Sequence, residues 1–119
     1  MFKVDTIDDH YEFKSIAKKH DKAYEFIDRM VNDSKIRIEI IHENHLRVIR
    51  SGSAVMDMDL ILNQKTTSTY HNDMGLSFEI ASFTKEIIIN DDEISFTYDY
   101  YIENDYQDTL KFTLVLNIL

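Results

Sequence analysis

Two strands and the turn between them are predicted by residues Leu46–Met58, which read Leu-Arg-Val-Ile-Arg-Ser-Gly-Ser-Ala-Val-Met-Asp-Met. Apolar and polar residues alternate on both sides of Gly52, one of only two glycines in the 119-residue chain. Because successive side chains of a strand point to opposite faces, each half of the stretch has one face suited to burial. Gly52 then marks a bend or bulge that the missing Cβ permits.

The same alternation continues from Lys35 to the end of the chain. β-Branched and aromatic residues dominate these segments, as is typical of half-buried strands. Asparagine and aspartate separate them, and these residues can turn a hairpin without glycine or proline. The residues predicted to share the buried face are Ile36, Ile38, Ile40, Leu46, Val48, Met56, Met58, Leu60, Leu62, Leu76, Phe78, Ile80, Ile94, Phe96, Tyr98, Tyr100, Leu110, Phe112, Leu114, Leu116 and Ile118. The pattern predicts an all-β fold, an antiparallel up-and-down meander that curls into a barrel or a sandwich.

The first third of the chain fits two interpretations. Residues 8–31 place apolar side chains at helical spacing, which predicts one amphipathic helix. The same residues also fit a hairpin of Tyr11–Lys18 and Ala23–Met30 that turns at His20-Asp21. Such a helix would be about 36 Å long, which is long beside a small barrel. The pattern alone leaves both interpretations open.

Length and composition limit the protein class. A chain of 119 residues suits one domain, residues 1–119, with a single core. The absence of cysteine excludes disulfides and zinc-thiolate sites and fits a reducing compartment. No apolar run approaches the roughly 20 residues that span a bilayer, and the start lacks the features of a signal peptide. We expect a cytoplasmic protein.

Charge is distributed unevenly along the chain. Residues 1–50 contain 10 Lys/Arg and 10 Asp/Glu, whereas residues 51–119 contain 3 and 12 and therefore carry the whole net charge of −9. Nucleic acids and anionic membranes are usually bound through clustered Lys and Arg. We therefore expect neither a nucleic acid nor a membrane as a partner.

Several short motifs resemble a known family. They are Arg50-Ser51-Gly52 with Met56 four residues later, Tyr70 with Gly75, the Ser82/Thr84 pair, and Ile94-Ser95-Phe96-Thr97-Tyr98-Asp99. Together they resemble the YwiB-like family of uncharacterised bacterial proteins. The resemblance implies that the meander closes into a calycin-like (lipocalin-type) β-barrel of about eight strands. It also favours the hairpin over the helix, because Tyr11–Lys14 and Lys22–Phe26 resemble the second and third strands. A one-residue offset between Gly75 and Thr84 indicates a β-bulge. The family supplies no established activity and no functional residues.

Arg50 is the first candidate for a functional residue. Strand parity places it inward with Leu46 and Val48, at the end of its strand. A buried guanidinium needs partners, because an unpaired buried charge is very costly. It either presents its donors to a carboxylate or phosphate at the barrel mouth, or closes one barrel end against backbone carbonyls or a tyrosine.

Aromatic and methionine side chains share this predicted interior. Tyrosines with a polar tip can line a ligand cavity, and they can equally form plain core. Methionine fills irregular gaps and also suits adaptable binding surfaces. The candidate ligand-binding residues are Arg50, Phe96, Tyr98, Tyr100, Met56 and Met58.

The sequence contains no motif that indicates a catalytic site or a metal site. Asp57 and Asp59 point outward by parity, where no cleft shields them. His42 and His45 fall in a predicted turn without a helix to align their rings. Two isolated glycines cannot build a phosphate loop or a dinucleotide motif. We expect no enzyme activity, no metal and no cofactor.

Two functions remain in competition. The first is a module that binds a small apolar or amphipathic anionic molecule inside the barrel, which requires a cavity of a few hundred cubic ångströms. The second is a protein-interaction module, a monomer with another partner or a homodimer joined through an exposed face or edge strand. The run Ile87-Ile88-Ile89 favours the interaction module, because three consecutive isoleucines in a strand place at least one apolar side chain on the outer face.

Overall fold

The computed structural model describes the backbone of residues 2–7, 12–20, 22–28 and 34–118, and the side chains of residues 22–27 and 34–115. Ten strands are present in these ranges. They are β1 (Phe2–Ile7), β2 (Glu12–His20), β3 (Ala23–Asp28), β4 (Ser34–His42), β5 (His45–Ser51), β6 (Ala54–Ile61), β7 (Lys65–Asn72), β8 (Ser77–Ile89), β9 (Glu93–Ile102) and β10 (Asp105–Ile118).

The strands form a closed antiparallel barrel. Each consecutive pair is hydrogen bonded, and β1 pairs with β10 from Phe2 opposite Ile118 to Ile7 opposite Thr113. The all-β meander and its closure are therefore confirmed. The first third forms the strands β2 and β3, so the hairpin interpretation is right and the helix interpretation is wrong. The described chain contains ten strands, and β7 is one that the apolar pattern did not reveal.

Four inward side chains pack at one end of the barrel, which we call the packed end. Each is at most 1% exposed, and they belong to facing pairs on β5 with β6 and on β9 with β10. They are Leu46, Leu60, Ile94 and Leu114. We call the opposite end, which holds the Gly52 turn between β5 and β6, the upper end. Burial of apolar side chains at about 25 cal/mol per Å² is the main source of stability for such a core.

β8 contains the β-bulge. Its register against β9 shifts between Thr84 and Glu86, so the bulge lies just after Thr84 rather than before it. The extra residue moves Ile87 and Ile89 onto the core face and leaves Ile88 on the outer side. Leu76 was predicted to face inward, but it precedes β8 and is 56% exposed.

The seam between β6 and β7 differs from the other seams of the barrel. Its described backbone ladder contains two residue pairs, Ala54 with Asn72 and Val55 with His71. Further along, two hydroxyls of β7 bridge the strands: Ser68 Oγ donates to the Asp57 carbonyl at 2.6 Å, and Thr66 Oγ1 donates to the Asp59 carbonyl. Side chains therefore replace backbone bonds along most of this seam.

The outer face of β3 to β6 carries a row of alternating charges. Glu25 accepts hydrogen bonds from Lys35 and Arg37, Arg37 also pairs with Glu39, and Arg47 bonds both Glu39 and Asp57. Each pair is partly exposed, and such pairs are worth about 0–1 kcal/mol. The row therefore adds only modestly to the stability of the barrel.

In the ranges described above, no helix is long and apolar enough to cross a membrane.

Candidate ligand cavity inside the barrel

A cavity of about 260 Å³ occupies the barrel interior toward the upper end. Its described lining is mostly aliphatic and aromatic, with one cationic side chain, Arg50. The lining residues are Ile36, Ile38, Val48, Arg50, Met56, Met58, Phe96, Tyr98, Leu110 and Phe112. The volume lies near the lower limit of small-molecule pockets, which are usually about 300–1,000 Å³. The side chains that the structure describes therefore leave part of the barrel interior unfilled.

A second cavity of about 170 Å³ lies beside the first. Met56, Met58, Tyr98 and Leu110 line both cavities, so these four side chains form the partition between them. The remaining described lining of the second cavity consists of Tyr70, Ile80 and Tyr100. Since methionine is unbranched and flexible, a partition containing two methionines can adjust its shape.

Strand parity explains why these side chains meet. Arg50 pairs with Ile36 on one side and with Met56 on the other, so all three lie on the inner face at the upper end. The Gly52 turn follows directly, with a positive φ of 108° that reverses the chain into β6. The hairpin thus brings a cation and two methionines to one wall of the cavity.

The opposite wall is aromatic. The Phe96 and Phe112 rings stack with centroids 5.0 Å apart, Phe26 stacks on Phe112 at 6.2 Å, and Tyr98 lies 6.0 Å from Phe96. Stacked rings with few rotatable bonds give a firm surface. The cavity therefore has a firm aromatic wall facing an adaptable methionine wall.

All six candidate residues from the sequence line these cavities. Arg50, Phe96, Tyr98, Met56 and Met58 line the first cavity, and Tyr100 lines the second together with Tyr98 and both methionines. Arg50 is half-buried, as expected for a residue at the end of its strand. Whether any of them binds a ligand stays a prediction.

The sequence pattern did not indicate Leu110, Phe112 or Tyr70 as site residues, although all three line the cavities. Leu110 and Phe112 were assigned to the buried face without a role, although alternation could have placed them beside Tyr98. Tyr70 was missed because β7 carries threonine and serine at its inner positions and so lacks an apolar stripe. Its ring stacks on Phe78 at 4.9 Å, which a pairing of β7 with β8 would have predicted.

Two buried hydroxyls lie behind the partition. Ser82 and Thr84 are both 0% exposed and face inward on β8, opposite Tyr100 and Tyr98. Ser82 Oγ lies 2.8 Å from Met58 Sδ, and Thr84 Oγ1 has no hydrogen-bond partner within the described structure. The sequence indicated these residues only through the family resemblance.

No acidic side chain is among the described residues that line the two cavities. Asp57 and Asp59 are on the outer face of β6, as predicted. The hydrogen bonds from Arg47 hold the pKa of Asp57 below its usual range, an effect of the outer charge row that the sequence did not reveal. His45 Nε2 bonds Asp59 Oδ1 at 2.8 Å, and the described residues form no cluster of three metal-ligating side chains.

Comparison with known proteins places this barrel in a family. A family model described as a domain of unknown function (DUF1934) matches residues 7–116, nearly the whole chain. The chain belongs to the DUF1934 family. The crystal structure of the ywiB protein from Bacillus subtilis is similar to the DUF1934 chain with a TM-score of 0.66 and 13% sequence identity, covering 98% of this chain and 88% of that chain.

These findings confirm the YwiB-like resemblance of this DUF1934 protein. At 13% identity the structural likeness shows the fold alone. A search of curated proteins found no match. The function of the DUF1934 barrel must therefore be argued from its own cavities.

Proposed function

We propose that the protein is a binding module that holds a small amphipathic anion inside the barrel. The observation that supports this most directly is the 260 Å³ cavity, whose described lining is apolar except for Arg50 and the tyrosine Tyr98. A guanidinium presents several donors to a carboxylate or phosphate, and the apolar walls suit an aliphatic or aromatic body.

The distribution of charged side chains supports a negative charge on the ligand. The chain carries 22 Asp and Glu, yet none of them is among the described residues that line either cavity. A cation bordered by apolar walls favours an anion, because electrostatic attraction strengthens where water is excluded. We propose binding rather than catalysis, since the described lining residues offer no paired acid and base.

Isothermal titration with decanoate tests the proposal. We expect binding by the unaltered protein, and a loss of at least tenfold in Arg50→Gln, because a hydrogen bond to a charged group contributes about 1.5–3 kcal/mol. Lys111→Gln, at an exposed position on the outer face of β10, removes the same charge and is expected to bind like the unaltered protein. Thermal melts establish that both variants fold.

Native mass spectrometry of freshly expressed protein supplies an independent check. A co-purifying small anion that is absent from Arg50→Gln supports the proposal. Equal decanoate affinity in Arg50→Gln, or no binding of decanoate by the unaltered protein, would refute it.

An interaction module is the second candidate. At the upper end, the turn between β7 and β8 exposes Met74 by 83% and Leu76 by 56%, and Val55 near the start of β6 is 46% exposed. Every described strand already has two hydrogen-bonded neighbours, so no described strand offers a free edge for a homodimer. A homodimer would instead form through the exposed face that carries these apolar residues. A strictly monomeric mass in light scattering at about 100 µM would refute the homodimer.

A further inference from the structure

The hydroxyl of Thr84 is buried and makes no hydrogen bond to any described residue. The residue is 0% exposed, and Oγ1 has no hydrogen-bond partner in the part of the chain that the structure describes. Burying an unpaired hydroxyl is costly, and a valine of the same shape would avoid that cost. A threonine at this position therefore destabilises the empty barrel relative to its isostere.

The neighbouring hydroxyl of Ser82 is poorly satisfied as well. Ser82 lies two residues earlier on the same inner face, and Oγ contacts Met58 Sδ at 2.8 Å. A thioether is a weak acceptor, so this contact is a poor substitute for a bond to oxygen. Two neighbouring hydroxyls on the inner face of β8 thus lack good partners among the described residues.

Both hydroxyls lie next to the cavity partition. Thr84 is directly opposite Tyr98 in the ladder, and Ser82 touches Met58; both Tyr98 and Met58 line the two cavities. Directly opposed residues of an antiparallel pair have Cβ atoms about 4.5–5.5 Å apart. Because a methionine side chain has three rotatable bonds, Met58 can turn aside and open the way to these hydroxyls.

We propose that Ser82 and Thr84 are a second anchor for the ligand. The ligand is then an amphipathic anion that carries a hydrogen-bonding oxygen, a hydroxyl or a carbonyl, on its apolar body away from the anionic group. Arg50 faces the anionic group and Thr84 binds the second oxygen. This inference rests on the proposed function and adds the chemical class of the ligand.

A pair of probes tests it. Decanoate and 10-hydroxydecanoate differ by one terminal hydroxyl, and the matching eight- and twelve-carbon pairs cover other distances from Arg50. We expect the unaltered protein to bind the hydroxylated member of at least one pair about fivefold more tightly, the value of one neutral hydrogen bond. Thr84→Val is expected to abolish this preference while it leaves the affinity for the plain carboxylate unchanged.

The empty protein gives a readout that needs no ligand. We expect Thr84→Val to raise the melting temperature, because it removes an unpaired buried hydroxyl. Thr67→Val, on the exposed side of β7, is the matched control and is expected to change neither the melting temperature nor the preference between probes. A lower melting temperature in Thr84→Val would mean that the hydroxyl has a partner, such as a buried water, and would overturn the inference.

The two proposals fail in different ways. If decanoate binds but no hydroxylated probe binds more tightly, the second anchor is overturned and the cavity site stands. If the preference persists in Thr84→Val, the second anchor is also overturned. If no probe binds, both proposals are overturned.

Discussion

Gly52 turns the chain between β5 and β6, directly after Arg50. Its φ of +108° lies in a region that side-chain-bearing residues rarely adopt. A Cβ at this position would meet Ser34 Cα at 3.5 Å, which is ordinary van der Waals distance. The glycine is therefore required by its backbone conformation rather than by lack of space.

Gly52→Ala is expected to lower the free energy of unfolding by about 1–3 kcal/mol, the usual cost of such a backbone conformation. Urea denaturation followed by circular dichroism measures it. Ser51→Ala, at the preceding exposed position, is the control and should change stability by less than about 0.5 kcal/mol. Equal stability of the two variants would contradict the assignment of strain to the turn.

At the scale of the strands, ion pairs on the outer face couple stability to pH. The bonds from Lys35 and Arg37 lower the pKa of Glu25, those from Arg47 lower the pKa of Asp57, and the Thr109 hydroxyl followed by Lys85 lowers the pKa of Asp99. A carboxyl whose pKa is lower in the folded state stabilises that state fully above its unfolded pKa. That contribution is lost as pH falls through the folded pKa.

We therefore expect the urea midpoint to fall as the pH is lowered from 5 to 2. Glu25→Gln should show a weaker fall, because a glutamine cannot titrate. Glu86→Gln, at an exposed position of β8, is the control and should retain the full slope. If the urea midpoint fell equally steeply with pH in Glu25→Gln and in the unaltered protein, the Glu25 carboxyl would not contribute to the pH dependence of stability.

Alternation along the chain predicted the antiparallel meander and the inward positions of the six candidate residues, because parity alone determines which face a side chain occupies. It did not predict β7, since Thr66 and Ser68 occupy inner positions and bond the carbonyls of β6. It also could not show that the Thr84 hydroxyl has no hydrogen-bond partner among the described residues, because that depends on distant strands. The local pattern shows which face of the sheet a side chain occupies, whereas tertiary packing determines the cavities and the hydrogen bonds.

At the scale of the whole molecule, the barrel is closed by its first and last strands. Six residue pairs join β1 and β10, and Phe2 lies opposite Ile118. The beginning and the end of the chain are therefore adjacent at the packed end of the barrel. Proteins with adjacent termini commonly tolerate a new connection between them.

A circular permutant tests this arrangement. A short glycine-serine linker would join the two ends, and new termini would open between Asn90 and Asp91, an exposed turn in which Asn90 Oδ1 accepts the amides of Asp92 and Glu93. We expect a β-rich circular dichroism spectrum and a cooperative melt. A permutant opened after Phe96, inside β9, should fail to fold; if both behaved alike, the closure would be in doubt.

The seam between β6 and β7 has a consequence for how the protein moves. Beyond the backbone pairs of Ala54 and Val55, its strands are connected by the hydroxyls of Thr66 and Ser68. This part of the seam can therefore open by breaking side-chain bonds while the other ladders stay intact. We expect the amides of Asp57 and Asp59 to exchange with deuterium faster than those of Phe96 and Tyr98 in β9. Equal protection would contradict this. The second cavity lies directly inside the seam, lined by Met56, Met58 and Tyr70. Separation of β6 from β7 would open the second cavity to solvent through the wall of the barrel, which gives a ligand a route of entry that needs no unfolding of the other strands.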